Sequence, residues 1–299
     1  MGTAVIAAWN TAWRGWWKRS DSQSRDCVHI QGLWRILRRR RQGVILDGMR
    51  YCVDGCLESA LGAALRRVRS VSQHTTPHRI PLGLQLLSRQ LITAEQLRSA
   101  LQAQRANGYG RIGEWLQNLG FANQEQVTAA LARQWSCPVL RENLLHQHST
   151  FQSQVPLTIL EQFMMLQIDY VVSSATIYVA FSEGVDYSVL YAIEQMTGCH
   201  TESCMTTPSL VRATLQELAS HRAENEVVFE HVSDYTEVSR IIRSYCVRLD
   251  ASEIRIARCG TYFWVRLLGF RRCPYDLLMR SPQSRTSPVA ASGGALLVS

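Results

Sequence analysis

The residues best placed by type and spacing to do chemistry lie between 81 and 134, where the sequence repeats. Setting Pro81-Leu82-Gly83 on Arg111-Ile112-Gly113, an offset of 30 residues, also sets Leu86 on Leu116, Leu97 on Val127, Ala100 on Ala130, Leu101 on Leu131 and Gln104 on Gln134. Self-similarity at a fixed period marks one supersecondary unit used twice. Each unit reads as a short helix, a turn and a longer helix. Thr93-Ala94-Glu95-Gln96 and Asn123-Gln124-Glu125-Gln126 open the longer helices, each with an N-cap residue three positions before a glutamine, a capping-box arrangement. Neither helix pair can bury its apolar stripe alone, whereas two stacked pairs can share a core.

Other chemistries find little support. Lys18 is the only lysine among 32 basic residues, and it stands in Trp16-Trp17-Lys18-Arg19 with no glycine-rich loop before it. A P-loop needs a lysine after its glycines to reach the β- and γ-phosphates, and a Schiff base needs a lysine amine, so both classes are excluded. Cys52-x-x-x-Cys56 and Cys199-His200 with Cys204 are the groups nearest to metal-ligand spacing. Neither holds a C-x-x-C pair, and Cys52 and Cys56 fall one helical turn apart, a common core spacing. No metal and no catalytic residue is assigned, and buried thiols are the simpler reading. The count of nine cysteines is odd in a chain far longer than a disulfide-stapled domain, which favours a reduced, cytoplasmic setting.

Charge is unevenly placed. Residues 1–80 hold 14 Lys+Arg against 5 Asp+Glu, while the other 219 residues are close to neutral, so any attraction to lipid headgroups or nucleic acid belongs to the N-terminal part. Residues 1–42 form a basic, Trp-rich extension in which Trp9, Trp13, Trp16 and Trp17 share one helical face. It reads either as an interfacial helix touching an anionic membrane through residues 5–41, or as an extension without order of its own. Its apolar stretch from Thr3 to Trp13 is too short to span a bilayer. No signature of specific nucleic-acid recognition accompanies it.

The elements that must position the repeat follow from periodicity and punctuation. Residues 43–76 read as a helix over Tyr51 to Arg69 and a linker, and residues 77–145 as the tandem-repeat helical domain. Residues 146–222 read as an α+β subdomain: strands at Ile168–Val172 and Thr176–Phe181, a helix over Asp186–Met196 with Asp186 as cap and Gly198 past its end, a strand near Cys199–Met205 and a helix over Ser209–His221. Residues 223–282 look like a second small α+β unit, with a strand at Val227–Phe229, a helix at Glu237–Val247, and strands at Ser252–Ala257 and Tyr262–Leu268 joined at Cys259-Gly260. Residues 283–299 have the Ser, Pro, Gly and Ala content of a disordered tail. The fold class is α+β: a small helical bundle of two tandem helix pairs followed by one or two small α+β units.

The second unit, Arg111-Ile112-Gly113 followed by Leu116, Gly120, Val127, Leu131 and Gln134, resembles the 24-residue tandem motif of the MshEN-type domain, found at the N-terminus of type II secretion (GspE-like) and type IV pilus ATPases. The stretch from Thr176 to Gly198 resembles the second half of the same domain, so the resemblance spans residues 79–220, without the ATPase. It implies that the tandem motifs bind cyclic di-GMP, through Arg111, Ile112, Gly113, Leu116, Gly120 and Gln134 of one unit and Leu82, Gly83, Leu86 and Gln104 of the other. The chemistry is reasonable: a guanidinium stacks on guanine and pairs with phosphate, and glycine lets a backbone approach. The first unit departs twice, with Pro81 where the arginine belongs and Gln90 where the second glycine belongs. Arg79, two residues away, could stand in for the arginine. The resemblance further implies a non-catalytic regulatory or adaptor protein, cytoplasmic or peripheral at the inner membrane, whose partner belongs to the secretion or pilus machinery. The competing reading is a membrane-surface tether or scaffold with a degenerate nucleotide site.

Overall fold

The computed structural model describes residues 25–26, 43–53, 55–68, 79–140, 153–220, 225–269 and 273–281. The expected interfacial helix, apart from the two-residue strand at 25–26, and the expected tail lie outside them. Strands are β1 Arg25–Asp26, β2 Val44–Leu46, β3 Met49–Tyr51, β4 Met165–Val171, β5 Thr176–Phe181, β6 His200–Met205, β7 Glu226–Phe229, β8 Ala251–Cys259, β9 Tyr262–Gly269 and β10 Tyr275–Arg280. Helices are α1 Cys56–Arg67, α2 Leu82–Ser88, α3 Ala94–Asn107, α4 Ile112–Asn118, α5 Gln124–Gln134, α6 Leu157–Gln162, α7 Tyr187–Thr197, α8 Pro208–Ser220 and α9 Tyr235–Leu249. The class is α+β, as the periodicities indicate.

The repeat forms the helical bundle α2–α5. Both capping boxes are made: Thr93 Oγ1 accepts from the Gln96 backbone N–H at 3.2 Å while Gln96 Oε1 accepts from Thr93 N–H at 2.8 Å, and Asn123 and Gln126 do the same at 2.8 and 2.9 Å. These bonds satisfy N–H groups that an opening helix otherwise leaves unpaired. The apolar stripes meet in one core of Leu82, Leu86, Ile92, Leu97, Ala100, Leu116, Ala122, Val127 and Ala130. The short helices pack crosswise, α2 against α5 and α4 against α3. Each unit therefore completes the other. Gln90, with φ of 58°, takes the same left-handed turn as Gly120, with φ of 70°, so the departure at this place leaves the backbone path unchanged and costs about 1 kcal/mol of strain.

The three-stranded sheet runs β4-β5-β6, with β4 antiparallel and β6 parallel to β5. Helix α7 makes the crossover between β5 and β6. Asp186 caps it by accepting from the Ser188 N–H at 2.8 Å, and Gly198 ends it in the left-handed conformation. Its core is continuous with the bundle through Ala132, Leu131 and Trp135.

Within residues 43–68 the helix expected over Tyr51 to Arg69 is present as α1, and the segment before it departs from expectation by forming two strands. These strands make the hairpin β2–β3, and β2 pairs in parallel with β8. One seven-stranded sheet, β1-β3-β2-β8-β9-β10-β7, thus joins segments on both sides of the repeat and the three-stranded unit. Strand β10 and helix α6 are further elements that the periodicity does not announce. Alternation along β8 to β10 splits the sheet's residues between two cores. Ile254, Ile256, Phe263, Val265, Leu267, Leu277 and Met279 face α1 and α9. Ala257, Cys259, Trp264 and Leu278 face the other way, into the core of the three-stranded unit.

Candidate functional site

The resemblance places ligand residues at two equivalent positions, and the bundle's hydrogen bonds make that equivalence concrete. Gln104 Nε2 donates to the carbonyl of Gly110 at 2.8 Å, and Gln134 Nε2 donates to the carbonyl of Ile80 at 2.8 Å. Each repeat's last motif residue therefore holds the backbone that leads into the other repeat's first. Pro81 and Arg111 follow those carbonyls in the same extended conformation, with ψ of 141° and 151°. Leu82 lies against Gly113, bringing the openings of α2 and α4 together.

The remaining motif residues divide by depth. Leu82, Gly83, Leu86, Gly113 and Leu116 are buried in the bundle. A Cβ on Gly83 would lie 2.6 Å from Leu97 Cδ1, and one on Gly113 would lie 3.0 Å from Val127 and 3.1 Å from Leu82. These two glycines let the short helices approach their partners, a packing role that stands beside the expected role of admitting a ligand. Gly120 is an exposed turn residue, Ile112 is half-buried, and Arg111 is exposed.

Arg111 reaches out of the bundle to the turn between β5 and α7. Its Nη1 donates to the Glu183 carbonyl, and its Nη2 lies 3.2 Å from the Glu183 carboxylate, with side-chain exposures of 62% and 35%. The next residue, Gly184, has φ of 128° and lies so close to Trp135 that a Cβ would be 3.0 Å from the indole ring. Trp135 in turn carries the Arg79 guanidinium 3.3 Å from its ring centroid, with Tyr187 also beside it, 5.9 Å from Arg79 and 6.0 Å from Trp135. Two cations, two aromatic rings and one carboxylate thus gather around the turn at 183–184. Sequence reasoning missed Glu183, Trp135 and Tyr187. Trp135 follows Gln134 directly, but Glu183 and Tyr187 come from the other unit, and no periodicity relates them to the repeat.

The cysteine groups do not form a comparable centre. Cys199 interacts with the Tyr170 hydroxyl, whose pKa is pushed up to about 12, first by burial and then by that thiol. His200 faces Glu194 at 3.1 Å and Glu202 at 3.5 Å. Burial, with the neighbouring Cys137 thiol adding to it, pushes Cys204 up to about 12, so it stays a protonated thiol at neutral pH and a poor nucleophile.

No protein-family model matches the chain, and no curated protein matches it. Among solved structures, one of MshE with cdg is 24% identical, with a TM-score of 0.38, over 46% of this chain and 99% of that one. Two crystal forms of the N-terminal domain of XpsE are 16% and 20% identical, with TM-scores of 0.37 and 0.29, over 47% and 44% of this chain and 97% and 89% of those.

Proposed function

We propose that residues 79–220 form a non-catalytic sensing and docking module, and that the ligand sensed is cyclic di-GMP or a close relative with stacked purines and paired phosphates. The observation that carries this reading is Arg111 at the opening of the second repeat, exposed and held by the backbone carbonyl of Glu183 and by an ion pair with its carboxylate. Such pairs contribute about 0 to 1 kcal/mol, so an arriving phosphate displaces Glu183 from Arg111 at little cost. The guanidinium can then pair with the phosphate and offer its face to a base. The protein partner, of the secretion or pilus machinery by the resemblance, would read the same surface: Tyr187 and Tyr191 stand one helical turn apart on α7, both more than half exposed, and Tyr187 touches Trp135. Exposed tyrosines of this kind suit a partner interface.

Calorimetric titration of the full chain with cyclic di-GMP tests the ligand. Wild type should bind at about micromolar affinity, a free energy of about −8 kcal/mol, and Arg111→Ala should abolish the heat. Absence of heat with wild type overturns the reading of the ligand. Equal binding by wild type and Arg111→Ala overturns the placement of the site.

A further inference from the structure

We infer that Arg79, laid flat on Trp135, is the second phosphate-binding cation of this site and replaces the arginine that Pro81 removes from the first repeat; this rests on the ligand reading above. The repeat sets Pro81 against Arg111, and the Gln134–Ile80 and Gln104–Gly110 hydrogen bonds show that the backbones leading into both positions are held alike. Proline supplies no cation at its place. The chain leading into α2 nevertheless brings one to the same mouth, two residues earlier, and Trp135 fixes where it points.

The geometry suits an anion. Stacking occupies one face of the planar guanidinium and leaves its N–H groups at the rim, where a phosphate oxygen can accept from them. No carboxylate among the described residues forms an ion pair with Arg79, in contrast to Arg111 with Glu183. Trp135 touches the 183–184 turn at Gly184 while Arg111 holds it at Glu183, so Arg111 and the ring that carries Arg79 meet the same turn. A ligand with two phosphates can address both cations at once. Trp135 is the positioning residue in this arrangement, because a free arginine must lose side-chain entropy on binding, whereas one already stacked loses less.

Titration of the full-length chain with cyclic di-GMP, comparing wild type, Arg79→Ala, Trp135→Phe, Trp135→Leu and the double variants Arg79→Ala/Pro81→Arg and Arg79→Ala/Trp135→Leu, separates the outcomes. Arg79→Ala should weaken binding about tenfold or more. Restoring a cation at the repeat's own first position, in Arg79→Ala/Pro81→Arg, should recover most of the loss, which a merely structural role for Arg79 would not produce. Trp135→Phe, which keeps an aromatic face, should bind better than Trp135→Leu, and Arg79→Ala combined with Trp135→Leu should lose no more than the worse single change, since the pair acts as a unit. If wild type binds and Arg79→Ala binds equally well, this inference is wrong and the ligand reading stands. If wild type does not bind, the ligand reading fails and takes this inference with it.

Discussion

At the residue scale, the positions that a binding motif and a packing motif share can be told apart by what surrounds them. Gly113 is buried between Val127 and Leu82, and the extra methyl groups of a valine would overlap both. Gly113→Val should therefore cost about 1 to 3 kcal/mol through overpacking, seen as a lower urea midpoint with no ligand present. Unchanged stability with lost binding would instead favour a direct ligand role. Burial also sets the thiols. Cys246, on α9, is 2% exposed, and desolvation raises its pKa from the ordinary 9.0 to about 12. A raised folded value means the stabilisation is complete below pH 9.0 and is lost as pH climbs from there toward about 12, because the unfolded thiol ionises first. In that window the group removes about 1.4 kcal/mol per pH unit. Thermal midpoints measured from pH 8 to 10 should fall more steeply for wild type than for Cys246→Ala, and parallel slopes would contradict the assignment.

At the element scale, the repeat was legible because helix caps and apolar spacing are local properties. Thr93 and Asn123 predicted their capping boxes, and Asp186 and Gly198 bounded α7 as they stand in the structure. The short helices were harder to place in detail, since α2 and α4 hold together by packing against the long helix of the other unit rather than their own. Gln90 shows how a sequence departure can leave an element intact. Its backbone is left-handed with a side chain that disfavours it, so Gln90→Gly should raise the unfolding midpoint by up to about 1 kcal/mol of stability, less the entropy glycine loses on folding. A fall in midpoint would mean that the Gln90 side chain contributes more than its backbone costs.

At the scale of the whole molecule, the seven-stranded sheet connects parts that the sequence separates. Arg266 and Asp276 form a buried ion pair on adjacent strands, with Arg266 Nε and Nη2 donating to the carboxylate at 2.8 and 2.7 Å and Trp264 Nε1 donating at 2.8 Å. Arg266 Nη2 also donates to the Gln154 carbonyl at 2.6 Å, tying the sheet to the chain that enters the three-stranded unit. Glu226 on β7 adds a second tie by accepting from the N–H groups of Leu157 and Thr158 at the start of α6. Asp276→Ala would leave a buried guanidinium without its counter-charge and should cost about 3 to 5 kcal/mol, whereas replacing both partners, Arg266→Met with Asp276→Leu, should cost less. Chemical denaturation of the two variants checks the order, and equal losses would show that packing, rather than charge, dominates the site.

Local signals are enough to establish the tandem helix pairs and their caps, the alternating strands β5, β8 and β9, the capped helix α7, and Arg111 as the cation at a repeat's opening. The sequence did not reveal that Val44–Leu46 pairs with β8, because a three-residue strand has too few positions to show alternation and its partner lies some 200 residues later. Nor could it bring Glu183, Tyr187, Trp135 and Arg79 to one turn. Their meeting depends on how the bundle docks on the three-stranded sheet, through the core that α5 shares with it. Side-chain burial between units and a cation stacked across them are decided by tertiary packing, which no periodicity within one segment encodes.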